Sequence, residues 1–215
     1  MKRIVWLILA LAALATPALA VDRRLAERLD AATAEAVWGV IETARADGSP
    51  IDPLIATALE GASKQARGDR IVAAVRHHAA ALATATRALG AHSTSAEVVA
   101  GAGALMSGVP ADTLARLRAA RSGSLVVPLV VMADLITRQV PVSTATAGVV
   151  NASRAGARDA DLLRLRTRVE GDIRRGVSPA AATLARLQGL GLAGIERRPL
   201  SPGREPRPAA GGNQP

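Results

Sequence analysis

The side chains in this 215-residue sequence most able to carry chemistry at neutral pH are three histidines, its carboxylates and its hydroxyls, because it contains no Cys and no Tyr. His77 and His78 are adjacent. On a helix, neighbours point about 100° apart, so this pair does not converge on one metal as an i,i+4 pair would. His92 falls in a connecting segment with no carboxylate pattern around it. No metal site is expected from this set. Serine and threonine are present without a Gly-x-Ser-x-Gly elbow and without a strand to hold one. Glu170 and Asp172 lie on different faces of one helical stretch with no aromatic sugar platform nearby, which does not suit paired-carboxylate hydrolysis. Asp134 interrupts the apolar run from Leu125 to Ile136. Buried, it would carry a raised pKa and need a partner, but Thr137 and Arg138 beside it favour a wet helix edge.

The most distinctive segment is PLIATALEGASKQARGDRIVAAV, residues 53–75. Glu60 and Lys64 form an i,i+4 pair in the favourable order, and Gly61 is a mid-helix glycine that costs about 1 kcal/mol relative to alanine. Gly61 is expected to admit a close neighbour, either a packed helix or a ligand. In the second case Glu60, Lys64 and Arg67 form the polar rim of an interaction surface. No catalytic residue and no cofactor is assigned anywhere in the chain.

The elements that must position these groups are helices. Alanine is abundant and no stretch alternates apolar and polar residues for long. Val72, Val75, Ala79, Leu82, Thr86 and Leu89 fall on one helical stripe, as do Leu162, Leu165, Val169 and Ile173, with Asp159 placed as N-cap and Gly176 past the end. Thr94-Ser95-Ala96-Glu97 has the form of a capping box opening a helix through Met106. The run 125–136 is expected to be the most buried helix and is too short to cross a membrane, which takes about 20 residues.

A junction recurs between these helices. Gly48-Ser49-Pro50-Ile51, Gly108-Val109-Pro110-Ala111 and Gly176-Val177-Ser178-Pro179 are three versions, and Gln139-Val140-Pro141-Val142 is a fourth without the glycine. Glycine tolerates the left-handed conformation at a helix end, and proline presets the first turn of the next helix. In-phase apolar residues follow each junction: Leu54, Ile55 and Leu59; Leu114 and Leu117; Val142, Ala145 and Val149; Leu184 and Leu187. The prolines at 110, 141 and 179 are 31 and 38 residues apart, the size range of a helical-hairpin repeat. The expected fold is therefore all-α, an array of helical hairpins that is either solenoid-like or a compact irregular bundle.

Residues 1–20, MKRIVWLILALAALATPALA, have the form of a signal peptide, with Lys2 and Arg3 before an apolar run and Ala18-Leu19-Ala20 before a cleavage point at Val21. Residues 21–196 are read as the helical domain. Residues 197–215 are Pro-, Gly- and Arg-rich without apolar periodicity and are read as a disordered tail. The expected location is exported, periplasmic or secreted. A cysteine-free chain in an oxidising compartment must be held by packing alone.

The net charge of +9 is spread out rather than concentrated: the leader and tail hold +5 of it, leaving 21 basic against 17 acidic residues over 21–196. With no Phe, no Tyr and only Trp38 beyond the leader to stack on bases, nucleic-acid binding is not expected. Arg164, Arg166, Arg168, Arg174 and Arg175 form either a basic face toward anionic lipid or polymer, or a solvated surface interleaved with Glu170 and Asp172.

The stretch GSPIDPLIATALEGASK with the later G-V-P and G-V-S-P junctions resembles an uncharacterised family of exported, alanine- and arginine-rich helical proteins of bacteria. The resemblance implies helical fold and export, and it brings no activity. The function expected on these grounds is binding or scaffolding, with another protein of the cell envelope as partner. The competing classes are a peripheral protein on anionic membrane or polymer, and an enzyme with a dispersed site.

Overall fold

A Pro or Gly at nearly every predicted junction divides the chain into separate helices. The computed structural model, which describes residues 23–195 and, within them, side chains up to 189, accordingly consists of helices and short turns. The signal peptide, its cleavage point and the tail lie outside the described residues. The helices are α1 (Arg23–Ala26), α2 (Ala31–Ala46), α3 (Asp52–Ser63), α4 (Gly68–Leu89), α5 (Ser95–Met106), α6 (Ala111–Ala120), α7 (Val126–Thr137), α8 (Val142–Arg154), α9 (Asp159–Arg174) and α10 (Pro179–Ile195). The chain separates after Ala79 into two compact units, with α4 running through the boundary.

The junctions share one geometry. Among the described residues, Gly48, Gln65, Gly90, Gly108, Gln139, Gly156 and Gly176 have positive φ, and each lies just past a helix end. Six of them form the same doubly hydrogen-bonded stop. At the end of α5, Gly108 donates to the Leu105 carbonyl (2.9 Å) and Val109 to Ala104 (3.0 Å). At the end of α7, Gln139 donates to Ile136 (2.9 Å) and Val140 to Leu135 (3.0 Å). These bonds satisfy carbonyls that the helix itself leaves free. Val109 and Val140 are buried by the turn, which aims the proline behind them into the next helix.

Gln139, at φ +65°, holds without glycine a conformation that costs an ordinary side chain about 1 kcal/mol. Gln139→Gly is therefore expected to raise stability by roughly 0.5–1 kcal/mol, and Gly108→Ala to lower it by about 1 kcal/mol. Denaturant midpoints measured side by side check the opposite signs.

In the first unit, α1, α2 and α3 pack on one another around Leu25, Val37, Ile41 and Leu54. Asp30 caps α2, accepting from the Thr33 N–H (3.0 Å) and hydroxyl (2.6 Å). Trp38 is buried, with the Arg45 guanidinium 5.5 Å from its ring centre.

The second unit is built in two layers. α5 packs on α7 and α7 on α9, while α6 packs on α8 and α8 on α10. Each helix thus meets the helix two further along the chain, the stacking of a hairpin array. Leu114, Leu117, Leu129, Met132, Leu135 and Leu162 are wholly buried there. The expected helix 125–136 is α7, started by buried Leu125, although Val130 on its outer side is exposed.

Three local expectations are corrected. Arg158, not Asp159, occupies the N-cap position of α9, and Asp161 reaches back to accept from its backbone N–H (3.0 Å). Ile173 is only half-buried, because α9 turns Asp172 inward in the last turn. Leu184 is 52% exposed, and Ala182 and Thr183 fill the buried phase of α10 instead. Small residues there let α10 approach α8 closely: a Cβ on Gly148 would lie 2.2 Å from Leu187 Cδ1.

Candidate functional site

The residues singled out in the sequence separate in space by role. Gly61 admits a helix: a Cβ there would meet Ile71 Cγ1 of α4 at 2.9 Å. Glu60 and Lys64 pair at 2.5 Å and Arg67 pairs with Asp69 at 2.6 Å, all four exposed. Exposed pairs of this kind contribute only a few tenths of a kcal/mol. Glu60, Lys64 and Arg67 thus stand on the surface, with their charges matched within the chain.

His77 and His92 are exposed, and His78 Nδ1 lies 2.8 Å from the Thr57 hydroxyl. That hydroxyl donates its single proton to the Pro53 carbonyl (2.9 Å), so His78 is the donor in the pair. Burial, then the neighbouring His77, holds the His78 pKa below its ordinary value. Among the described residues no three His, Asp or Glu side chains gather as a metal would need, and no helix is long and apolar enough to cross a membrane.

The arginines of α9 are mostly engaged. Arg166 bonds Asp134 (2.9 Å), which confirms Asp134 as a half-exposed edge residue; Arg174 bonds Glu170 (2.8 Å), and Arg175 bonds Asp172. Arg186 of α10 clamps Asp172 with two bonds of 2.7 and 2.8 Å. Arg186, then Arg175, outweighs burial and pulls the Asp172 pKa down to about 2.

Glu97 is a functional carboxylate of the fold that its capping-box spelling only half reveals. Its Oε2 accepts from the Thr94 N–H (2.9 Å) and its Oε1 from the Leu125 N–H (2.9 Å), with Arg118 of α6 at 3.0 Å. One side chain thereby ties the starts of α5 and α7 to α6. Burial pushes its carboxyl up, but the two backbone donors and Arg118 outweigh burial and hold it below the ordinary value.

Both depressed carboxyls act in the same direction. A group with a lower pKa folded than unfolded supports the fold above its unfolded pKa and stops doing so as protons bind. The second unit should therefore keep its stability down to about pH 4.5 and lose it progressively toward pH 2, the value near which Asp172 titrates. Circular dichroism across that range, repeated with Asp172→Asn, reads the contribution as a flatter acid limb in the variant.

What remains open is a groove of about 760 Å³ walled by α8, α9 and α10. Its floor is apolar and small, with Ala147, Gly148, Ala152 and Leu165, and exposed Leu184 stands on one wall. Its charges are Arg164, Arg168 and Arg186 against the single acid Asp161. Asp161 is already shared between Arg158 (3.4 Å) and Arg164 (3.5 Å). The Arg158 backbone N–H, then its side chain, outweighs burial and holds Asp161 below its ordinary pKa. Arg168 has no carboxylate within ion-pair distance among the described residues. The Gly156-Ala157 turn joins this groove to a shallower depression bearing Arg154 and Arg158, so the basic rim continues past the end of α8.

Neither Asn151 nor Gln188, the groove's amides, sits in an acid–base arrangement, and the one carboxylate is neutralised by two guanidiniums. The groove offers guanidinium and amide donors beside an apolar lining. In the sequence, Arg164 and Arg168 were visible as part of an arginine array. Arg174 and Arg175 pair locally, at the end of α9, whereas the pairing of Arg166 to Asp134 depends on which helices stack. Of the groove's own arginines, Arg168 is the one with no carboxylate in reach among the described residues.

Comparison of the chain with protein-family models, with curated proteins and with solved structures finds no match. The resemblance carried by GSPIDPLIATALEGASK therefore rests on its short motifs and assigns no family. The class defined by the fold is an all-helical array of hairpins, stacked two layers deep in its second unit.

Proposed function

We propose that this chain is an exported binding or scaffolding module that holds another protein of the cell envelope through its second unit. One observation carries the reading. The groove walled by α8, α9 and α10 is lined mainly by alanine, leucine and arginine with a single acid already paired to two arginines, rather than by several titratable groups in reach of one another. Stacked helical hairpins present such recesses as extended surfaces for other chains. The signal-peptide form of residues 1–20 supports the location.

The test is affinity capture from the envelope fraction of the native cells with the tagged full chain, read by mass spectrometry and repeated with purified components. A single stoichiometric partner that rebinds the purified chain is the expected result. Failure to retain any protein, together with turnover of a substrate by the isolated chain, would overturn the reading.

A further inference from the structure

We propose that the groove between α8, α9 and α10 takes an acidic, apolar-anchored segment of the partner, with Arg164 and Arg168 meeting its carboxylates and Leu184 its apolar side chains. This rests on the binding-module reading above and specifies the partner's chemistry.

The sign of the occupant follows from the charges. Three arginines and one aspartate line the groove, and Arg154 and Arg158 extend the same sign beyond Gly156. Arg186 is held by Asp172, and Asp161 is divided between Arg158 and Arg164. The groove's own carboxylate therefore cannot satisfy its cations, and Arg168 is left to find a counter-charge outside the described chain. A ligand supplying carboxylates gains charge-assisted, bidentate bonds from a guanidinium fork. A basic ligand meets repulsion at Arg168 and finds the nearby acids, Asp161 and Asp159, already paired with arginines.

The chain's own tail is disfavoured on the same count, since Arg197, Arg198, Arg204 and Arg207 outnumber Glu205 over residues 197–215. The same argument disfavours a second copy of this arginine-rich chain.

The apolar part follows from shape. Ala147 is small and exposed in the groove's lining, and Leu184 at 52% exposed is a large apolar side chain left standing at the wall. A groove of about 760 Å³ accommodates a short peptide segment rather than a whole domain surface. An amphipathic helix with apolar residues on one face and Asp or Glu beside them has the matching pattern.

Selection of random linear peptides displayed on phage against the purified full chain tests this directly. The expected result is enrichment of net-acidic sequences with apolar residues spaced three or four apart. Synthetic copies should bind less tightly as salt rises. The Arg164→Glu/Arg168→Glu double variant should weaken them at least roughly tenfold, which for two lost and reversed charge contacts is a modest requirement. Leu184→Asp should weaken the same peptides. Arg168→Ala, whose wild-type side chain holds no ion pair within the described chain, gives the same direction without touching the fold, and an unchanged circular dichroism spectrum confirms that.

Enrichment of basic or uncharged peptides, of sequences matching this chain itself, or of none at all overturns the proposal. So does displacement of the selected peptides by vesicles containing phosphatidylglycerol, which would assign the groove to an anionic lipid. A stoichiometric envelope partner that binds the Arg164→Glu/Arg168→Glu variant as well as wild type leaves the binding-module reading standing and removes this inference alone.

Discussion

Glu97→Ala is expected to cost the second unit about 3 kcal/mol, chiefly through two backbone N–H groups left without an acceptor beside a part-exposed Arg118. Glu97 is 4% exposed, and its two oxygens serve the backbone N–H groups of Thr94 and Leu125 and the Arg118 side chain. Alanine satisfies none of them. Two N–H groups at helix starts and one guanidinium would be left facing a gap that a methyl group does not fill. Glu97→Gln should lose less, because one amide oxygen still accepts, while its NH₂ confronts a donor. Chemical denaturation followed by circular dichroism reads both as an earlier loss of helix from the second unit. Trp38 fluorescence reports on the first unit, where Trp38 lies, so the two probes should separate in the variants.

The second large effect comes from Gly101, the buried glycine of α5. A Cβ built there would lie 3.1 Å from Ala85 Cβ, 3.1 Å from Leu89 Cδ1 and 3.2 Å from Leu114 Cδ2. Three neighbours close the space together, so none can retreat without pressing on another. Gly101→Leu should therefore destabilise by about 3 kcal/mol, at the upper end of overpacking costs. Gly103, two residues on, has nothing within 4 Å of its Cβ position and is exposed. Gly103→Ala should stabilise by up to about 1 kcal/mol through helix propensity alone. Opposite signs from two glycines of one helix, measured by thermal unfolding, identify packing as the cause.

Helix ends were the most legible part of the sequence, because their chemistry is local. The Thr94–Glu97 box, the glycines at 48, 108 and 176 and the prolines behind them act within a few residues, and each lies where its spelling places it. Gln139 took the left-handed position without glycine, where only the parallel with the other junctions marked it. Stripes were readable until a helix reached its end or met a special neighbour. Ile173 yielded the buried position to Asp172 because Arg186 of α10 supplies a counter-charge no periodicity reports, and Leu184 yielded to Ala182 and Thr183.

The groove was least legible. It is made by three helices whose side chains are small, and its sign depends on which arginines find carboxylates at long range in sequence, as Arg166 does with Asp134 and Arg121 with Asp159 (2.5 Å). A residue count weighs all these arginines alike. Val99, Val130 and Leu163 hold the same position in α5, α7 and α9 and are exposed, which apolar periodicity alone did not reveal.

Hydrogen exchange of the purified full chain, with and without its captured envelope partner, tests the central claim most directly. Slowed exchange is expected in the segments that wall the groove, α8, the start of α9 and the middle of α10, with residues 23–79 unchanged. Protection over Glu60, Lys64 and Arg67 with none at the groove would contradict it.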